Sequence, residues 1–181
     1  MDSQQGVSET AFLLLAYESI KYILSKNIEQ KEQKNQIEEL GFHLGEKAAN
    51  YFMTTSSIDP PTNDIQKELD NVMKFLLKEV WTFIFGSSIP KLQRNTKATF
   101  LIEAAEIKMH LFLLTEKGNA KDEKADVILW FIYGLIKGVL STFNYECTVS
   151  CDIKQGSSSK SSPNAQFVYP ITVQILNVKL P

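Results

Sequence analysis

Residues 127–143 read VILWFIYGLIKGVLSTF, with Gly134 and Gly138 four positions apart. Two glycines at that spacing on an apolar helix let another backbone come close, as in paired membrane-spanning helices. The run is 17 residues long, just short of the roughly 20 that cross a bilayer. Lys137 lies inside it, and a lysine near a bilayer centre costs about 2.5–3.5 kcal/mol. Both flanks, AKDEKAD and NYECTVSCD, are polar, and the sequence offers no second candidate span. The stretch therefore reads as a buried amphipathic helix whose glycines admit a close neighbour, with Lys137 at its edge.

The rest of the chain fits a globular protein. At 181 residues it is long enough for one domain with a full hydrophobic core and short for two. It is 44% hydrophobic and 22% charged, with a formal charge of -2. That lacks the basic footprint of a nucleic-acid binder. The opening MDSQQGVSET has no positive n-region, so no signal peptide is expected. Cys147 and Cys151 are the two cysteines. On one strand their Cα atoms lie roughly 13 Å apart at about 3.3 Å per residue, too far for a bridge. Unbridged cysteines point to a reducing compartment, hence the cytosol or the nucleus.

Hydrophobic spacing places the elements. Residues 1–7 read as a flexible tail, and Ser8 as the N-cap of a helix over about 9–25. That helix is apolar nearly all round, with Leu14, Tyr22 and Ile23 widening the stripe, so more than one neighbour should cover it. Ile37, Leu40, Gly41, Leu44, Ala48, Tyr51 and Phe52 mark a second helix with its own G-x-x-x-G at Gly41 and Gly45. After TTSSIDPPTND, a third helix is expected over about 65–85, ending at Gly86 and Pro90. KLQRN reads as a short helical turn. ATFLIE and EIKMHLFLL then alternate at period two and suggest a hairpin turning at Glu103–Glu106. Beyond the 127–143 helix, Tyr145, Cys147, Val149, Cys151 and Ile153 alternate with polar residues as a half-buried strand. KQGSSSKSSPNAQ reads as a flexible loop, 154–166, and FVYPITVQIL as a last strand. Pro170 lacks an N–H, which favours an edge strand or a bulge. The order predicts an α+β domain over 8–181, with helices on one face of a four-stranded antiparallel sheet.

No chemistry stands out. Zinc needs four Cys or His ligands at paired spacing; Cys147, Cys151, His43 and His110 do not supply it. Glu38, Glu39, Asp122 and Glu123 sit in charged segments and read as solvated. No phosphate loop, nucleophile elbow or H-E-x-x-H occurs. The expectation is a protein that is not an enzyme and takes no cofactor or metal. What is in surplus is apolar surface on the first two helices, and a partner protein is its simplest explanation.

Three segments together resemble the small Bet-three-like subunits of the TRAPP complexes. They are IEELGFHLGEKAANYF, ELDNVMKFLLKEVWTFIFG with its trailing SSIPKLQRN, and FIYGLIKGVLSTFNYECTVSCDI. The L-G-x-x-x-G at 40–45, K-F-x-x-K-x-x-W at 74–81 and G-L-I-K-G at 134–138 fall in the family's order. LGF and the KF…W…F run are most similar to the subunit-six branch, with the subunit-five branch its nearest rival.

The resemblance implies an α/β plait whose glycine-bearing helix packs against the sheet. It also implies a scaffold role in a vesicle-tethering complex that activates a Rab GTPase in ER-to-Golgi and intra-Golgi transport. The chain would meet that GTPase only indirectly, and membranes only peripherally. The implied partner is a subunit-three-type protein, joined through Phe12, Leu13, Tyr17, Ile20, Leu24, Leu40 and Leu44. Gly41, Gly45, Gly134 and Gly138 would serve close packing. The subunit-three branch carries an acylated cysteine near the start of helix three. IDPPTNDIQKELD has none, so lipidation does not carry over. The alternative is a small-molecule-binding sensor module, since the fold superfamily includes sensor domains with apolar ligand cavities.

Overall fold

The computed structural model describes residues 3–55, 65–86, 89–96, 98–105, 121–151 and 168–178. Helix α1 (Ser3–Ser25) and helix α2 (Gln30–Thr55) come first. Helix α1 starts at Ser3, five residues before the expected cap. Helix α3 (Ile65–Phe75) runs on through a π-helical stretch (Leu76–Trp81) into a last turn (Thr82–Phe85). Leu76, Leu77, Val80 and Trp81 are all buried there, and the Thr82 hydroxyl donates to the Leu77 carbonyl at 3.3 Å. Gly86 ends the run with φ 53°, a left-handed conformation that glycine takes without a Cβ penalty.

The sheet comprises β1 (Lys91–Thr96), β2 (Thr99–Ala105), β3 (Tyr145–Cys151) and β4 (Val168–Val178). Its order is β1-β2-β4-β3, and every pair is antiparallel. Helix α4 (Lys121–Thr142) leads into β3 through Asn144, which sits at φ 62°. Asparagine is among the few residues that tolerate that region. The α+β class and the four-stranded antiparallel sheet agree with the sequence reading.

Three local expectations are corrected. KLQRN is strand β1, not a helical turn. It is an edge strand whose Leu92 reaches the core while Lys91, Arg94, Asn95 and Thr96 are exposed, so it carries no alternation to read. The hairpin is β1–β2, and Glu103 lies mid-strand, paired with Lys91 and with Pro170, not in a turn. EIKMHLFLL, residues 106–114, lies outside the described residues. Finally, β4 is an inner strand despite Pro170. Its last described pair with β3 is Cys151–Ile171. Among the described residues, then, the proline pairs on the β2 side alone.

One face of the sheet meets the helices. Phe100, Ile102, Ala104, Ile171, Val173, Ile175, Tyr145 and Cys147 are buried on it, while Thr148 and Gln174 face outward. Arg94 ties the β1 edge to α3, with a guanidinium nitrogen 3.0 Å from the Asp70 carboxylate and the group lying over the Phe100 ring.

Burial pushes the Cys147 thiol up to about 11; Lys137 draws it down a little and Glu146 adds to the rise. The unfolded chain therefore loses this proton at lower pH than the folded one. The resulting stability is complete below about pH 9 and is lost as pH rises toward about 11. Urea unfolding between those limits should show stability falling with pH, and falling less steeply in Cys147→Ala. Equal slopes would contradict the burial account.

Candidate functional site

Two features stand out as more than ordinary packing: the crossing of α2 and α4, and the outward face of α1. At the crossing the two G-x-x-x-G motifs meet each other. A Cβ added at Gly41 would overlap the Phe131 carbonyl oxygen and lie 3.0 Å from the Leu135 nitrogen. One at Gly45 would overlap the Leu135 oxygen and lie 3.0 Å from the Val139 nitrogen. From the other side, Gly134 lies against the Glu38 carbonyl and Gly138 against that of Phe42. Each motif is thus the other's neighbour. The glycines of α4 face α2, while the same helix also packs against β3, as the family resemblance implied.

Lys137 and Glu38 form an ion pair across this crossing, both side chains partly shielded. Neither charge is stranded in the core. An open groove of about 310 Å³ runs beside them, lined by Asn35, Glu38, Glu39, Phe42, Gly134 and Lys137. His43 stands on the outer side of α2, 3.8 Å from Glu39 and 3.6 Å from Glu46. Among the described residues no three His, Cys, Asp or Glu side chains converge on a metal position. Among them, too, no helix is long and apolar enough to cross a membrane.

Helix α1 has two faces. Ala16, Tyr17, Ile20 and Ile23 are buried in the chain's own core. Leu14, Leu15, Tyr22 and Leu24 are 53%, 67%, 66% and 36% exposed. Of the residues expected at a partner surface, only Leu24 is therefore outward and open. Tyr17 and Ile20 are committed inward, Leu40 and Leu44 are half-buried against the core, and the side chains of Phe12 and Leu13 lie outside the described set. Leu14 and Tyr22, both outward, were visible as surplus apolar width, but Leu15 was read with the main stripe, and spacing alone did not say which stripe the core would claim. Glu38 was missed as Lys137's partner. Its signal was a lysine inside one glycine motif and glutamates just before the other.

Comparison with known proteins decides the family. A model described as "Transport protein particle (TRAPP) component" matches residues 12–173. The chain belongs to the TRAPP component family. It is 29% identical over 157 residues to "Trafficking protein particle complex subunit 6B" of Mus musculus, spanning 84% of this chain and 93% of that one. To subunit 6A of Homo sapiens it is 27% identical over 124 residues, 68% of this chain and 72% of that one. These relatives agree with the subunit-six branch. The crystal structure of a trafficking protein particle complex subunit 3 from Naegleria fowleri, covalently bound to palmitic acid, superimposes with a TM-score of 0.67. At 18% identity, over 93% of this chain and 97% of that one, it shows a shared fold.

The crossing yields a prediction of sign. Gly→Ala inside a helix ordinarily stabilises by about 1 kcal/mol. Gly134→Ala should instead destabilise this TRAPP component by about 1–3 kcal/mol, because backbone atoms must move apart. Urea denaturation measures it, and a stabilised variant would refute the contact.

Proposed function

We propose that this TRAPP component is a non-catalytic scaffold subunit of a vesicle-tethering complex, acting by heterodimerising with a subunit-three-type partner. The observation that carries the proposal is the open apolar stripe of α1 on a chain whose family is that of complex subunits. Leu15 and Tyr22 lie two turns apart on one side of the helix, backed by a core that already holds Ile20. Leaving such a stripe to water costs solubility, whereas a partner face of about 800 Å² per subunit would bury it along with neighbouring surface.

Nucleotide exchange on a Rab GTPase belongs, in this proposal, to the assembled complex, so the chain touches the GTPase only indirectly. Its place is peripheral to Golgi and ER-derived membranes, in the cytoplasm. A covalent acyl group is not part of the proposal. The sequence has no cysteine between Met1 and Asn144, and β3 holds both that exist.

Light scattering on the purified chain, alone and mixed with a subunit-three-type protein, tests this. A 1:1 complex near the summed mass is expected. Leu15→Asp should weaken it while leaving the thermal melt unchanged, since that side chain is already in water. A chain that stays monomeric beside the partner would overturn the proposal.

A further inference from the structure

The outward face of α1 is more organised than a greasy patch. Tyr22 is 66% exposed, yet its surroundings hold it in place. The Lys26 ammonium lies 4.8 Å from its ring centroid. That ammonium is itself held, donating to the Gln36 amide oxygen of α2 at 3.1 Å. The Gln33 amide nitrogen donates to the Lys26 carbonyl at 3.3 Å and to that of Leu24 at 3.4 Å. The Ser25 hydroxyl closes onto the Tyr22 carbonyl at 2.7 Å. The corner between α1 and α2 is thus stapled by side chains from both helices, and the tyrosine stands on it.

One helical stripe carries Leu15, Ser19 and Tyr22 in succession. Ser19 is small, and its hydroxyl turns back onto the Leu15 carbonyl at 2.8 Å. Two bulky side chains with a short one between them form a notch of the kind that receives a knob from a facing helix. The charged residues near the notch along the chain are Glu18 and Lys21 on α1, Lys26 and Glu29 in the turn that follows, and Glu32 at the start of α2. The Lys26 ammonium lies over Tyr22, whereas that of Lys21 lies 5.7 Å from the Tyr17 ring centroid.

We infer that Tyr22 is the anchor of this surface, with the Ser19 notch receiving an apolar side chain from a helix of the partner subunit. The inference rests on the heterodimer proposal and names the residue that sets its affinity. The matching partner helix is amphipathic, with one apolar knob for the notch and a carboxylate placed toward Lys26. Tyrosine suits the role, since it buries a large ring while losing little rotamer freedom. Fixing the ring beforehand lowers the ordering cost of association.

Calorimetric titration with a subunit-three-type protein separates the possibilities, using Tyr22→Ala, Tyr22→Phe and Ser19→Leu, each checked for an unchanged melt. Tyr22→Ala should weaken binding by about 30-fold or more, as anchors at interface centres do. Tyr22→Phe should keep near-native affinity, and Ser19→Leu should lose about tenfold or more by filling the notch. Native affinity in Tyr22→Ala, with Leu15→Asp still disruptive, would overturn the anchor and leave the heterodimer standing. No binding by the unaltered chain would overturn both.

Discussion

Backbone contact between α2 and α4 is the constraint on which the rest of the structure depends. Helices with side chains at their contact sit 8–10 Å apart. Here four glycines remove that spacer, and carbonyl oxygens of one helix occupy the space where the other's Cβ atoms would stand. Dispersion and Cα–H contacts gain from such proximity, and the register is fixed because only these positions lack side chains. Lys137 and Glu38 reinforce that register with opposite charges at the rim. Since α4 also lies on β3 and leads directly into it, the position of α2 sets that of the sheet. Helices and strands are held as one body by a seam with no side chains in it.

That seam also explains why α1 is available. With α2 committed to α4 along its glycine face and also in contact with the π-helical stretch Leu76–Trp81, α1 is left to pack with one side only. Ile20 and Tyr17 fill that side. The opposite side has no counterpart within the described residues, and it carries the tyrosine and leucine that a soluble single chain has least reason to display. Surface of this kind and a family of complex subunits point in the same direction.

Much of the fold was legible because its signals are local. The alternation from Tyr145 to Cys151 gave β3 its inward face, and Gly86 marked the end of the third helical run. Less was legible where an element's identity depends on a distant neighbour. Strand β1 is polar because it is an edge, so KLQRN carries no period. Pro170 sits in an inner strand where, among the described residues, it pairs on the β2 side alone. Each G-x-x-x-G announced a close neighbour, but spacing cannot name one: α4 packs on the sheet as expected, yet its glycines face α2. On α1 the apolar width was plain, whereas its division into Ile20 inward and Leu15 outward needed the packing of α2 and α3. The family resemblance named residues of α1 and α2 for a partner surface without separating those stripes.

Hydrogen–deuterium exchange on the chain alone and with a subunit-three-type partner tests the whole account in one experiment. In the free chain, amides of α2 and α4 around the glycine crossing should exchange slowest, and those of α1 faster. Adding the partner should slow α1 around residues 14–24 and leave the outward face of β3 and β4 as it was. Rapid exchange at the crossing, or protection confined to the sheet, would contradict it.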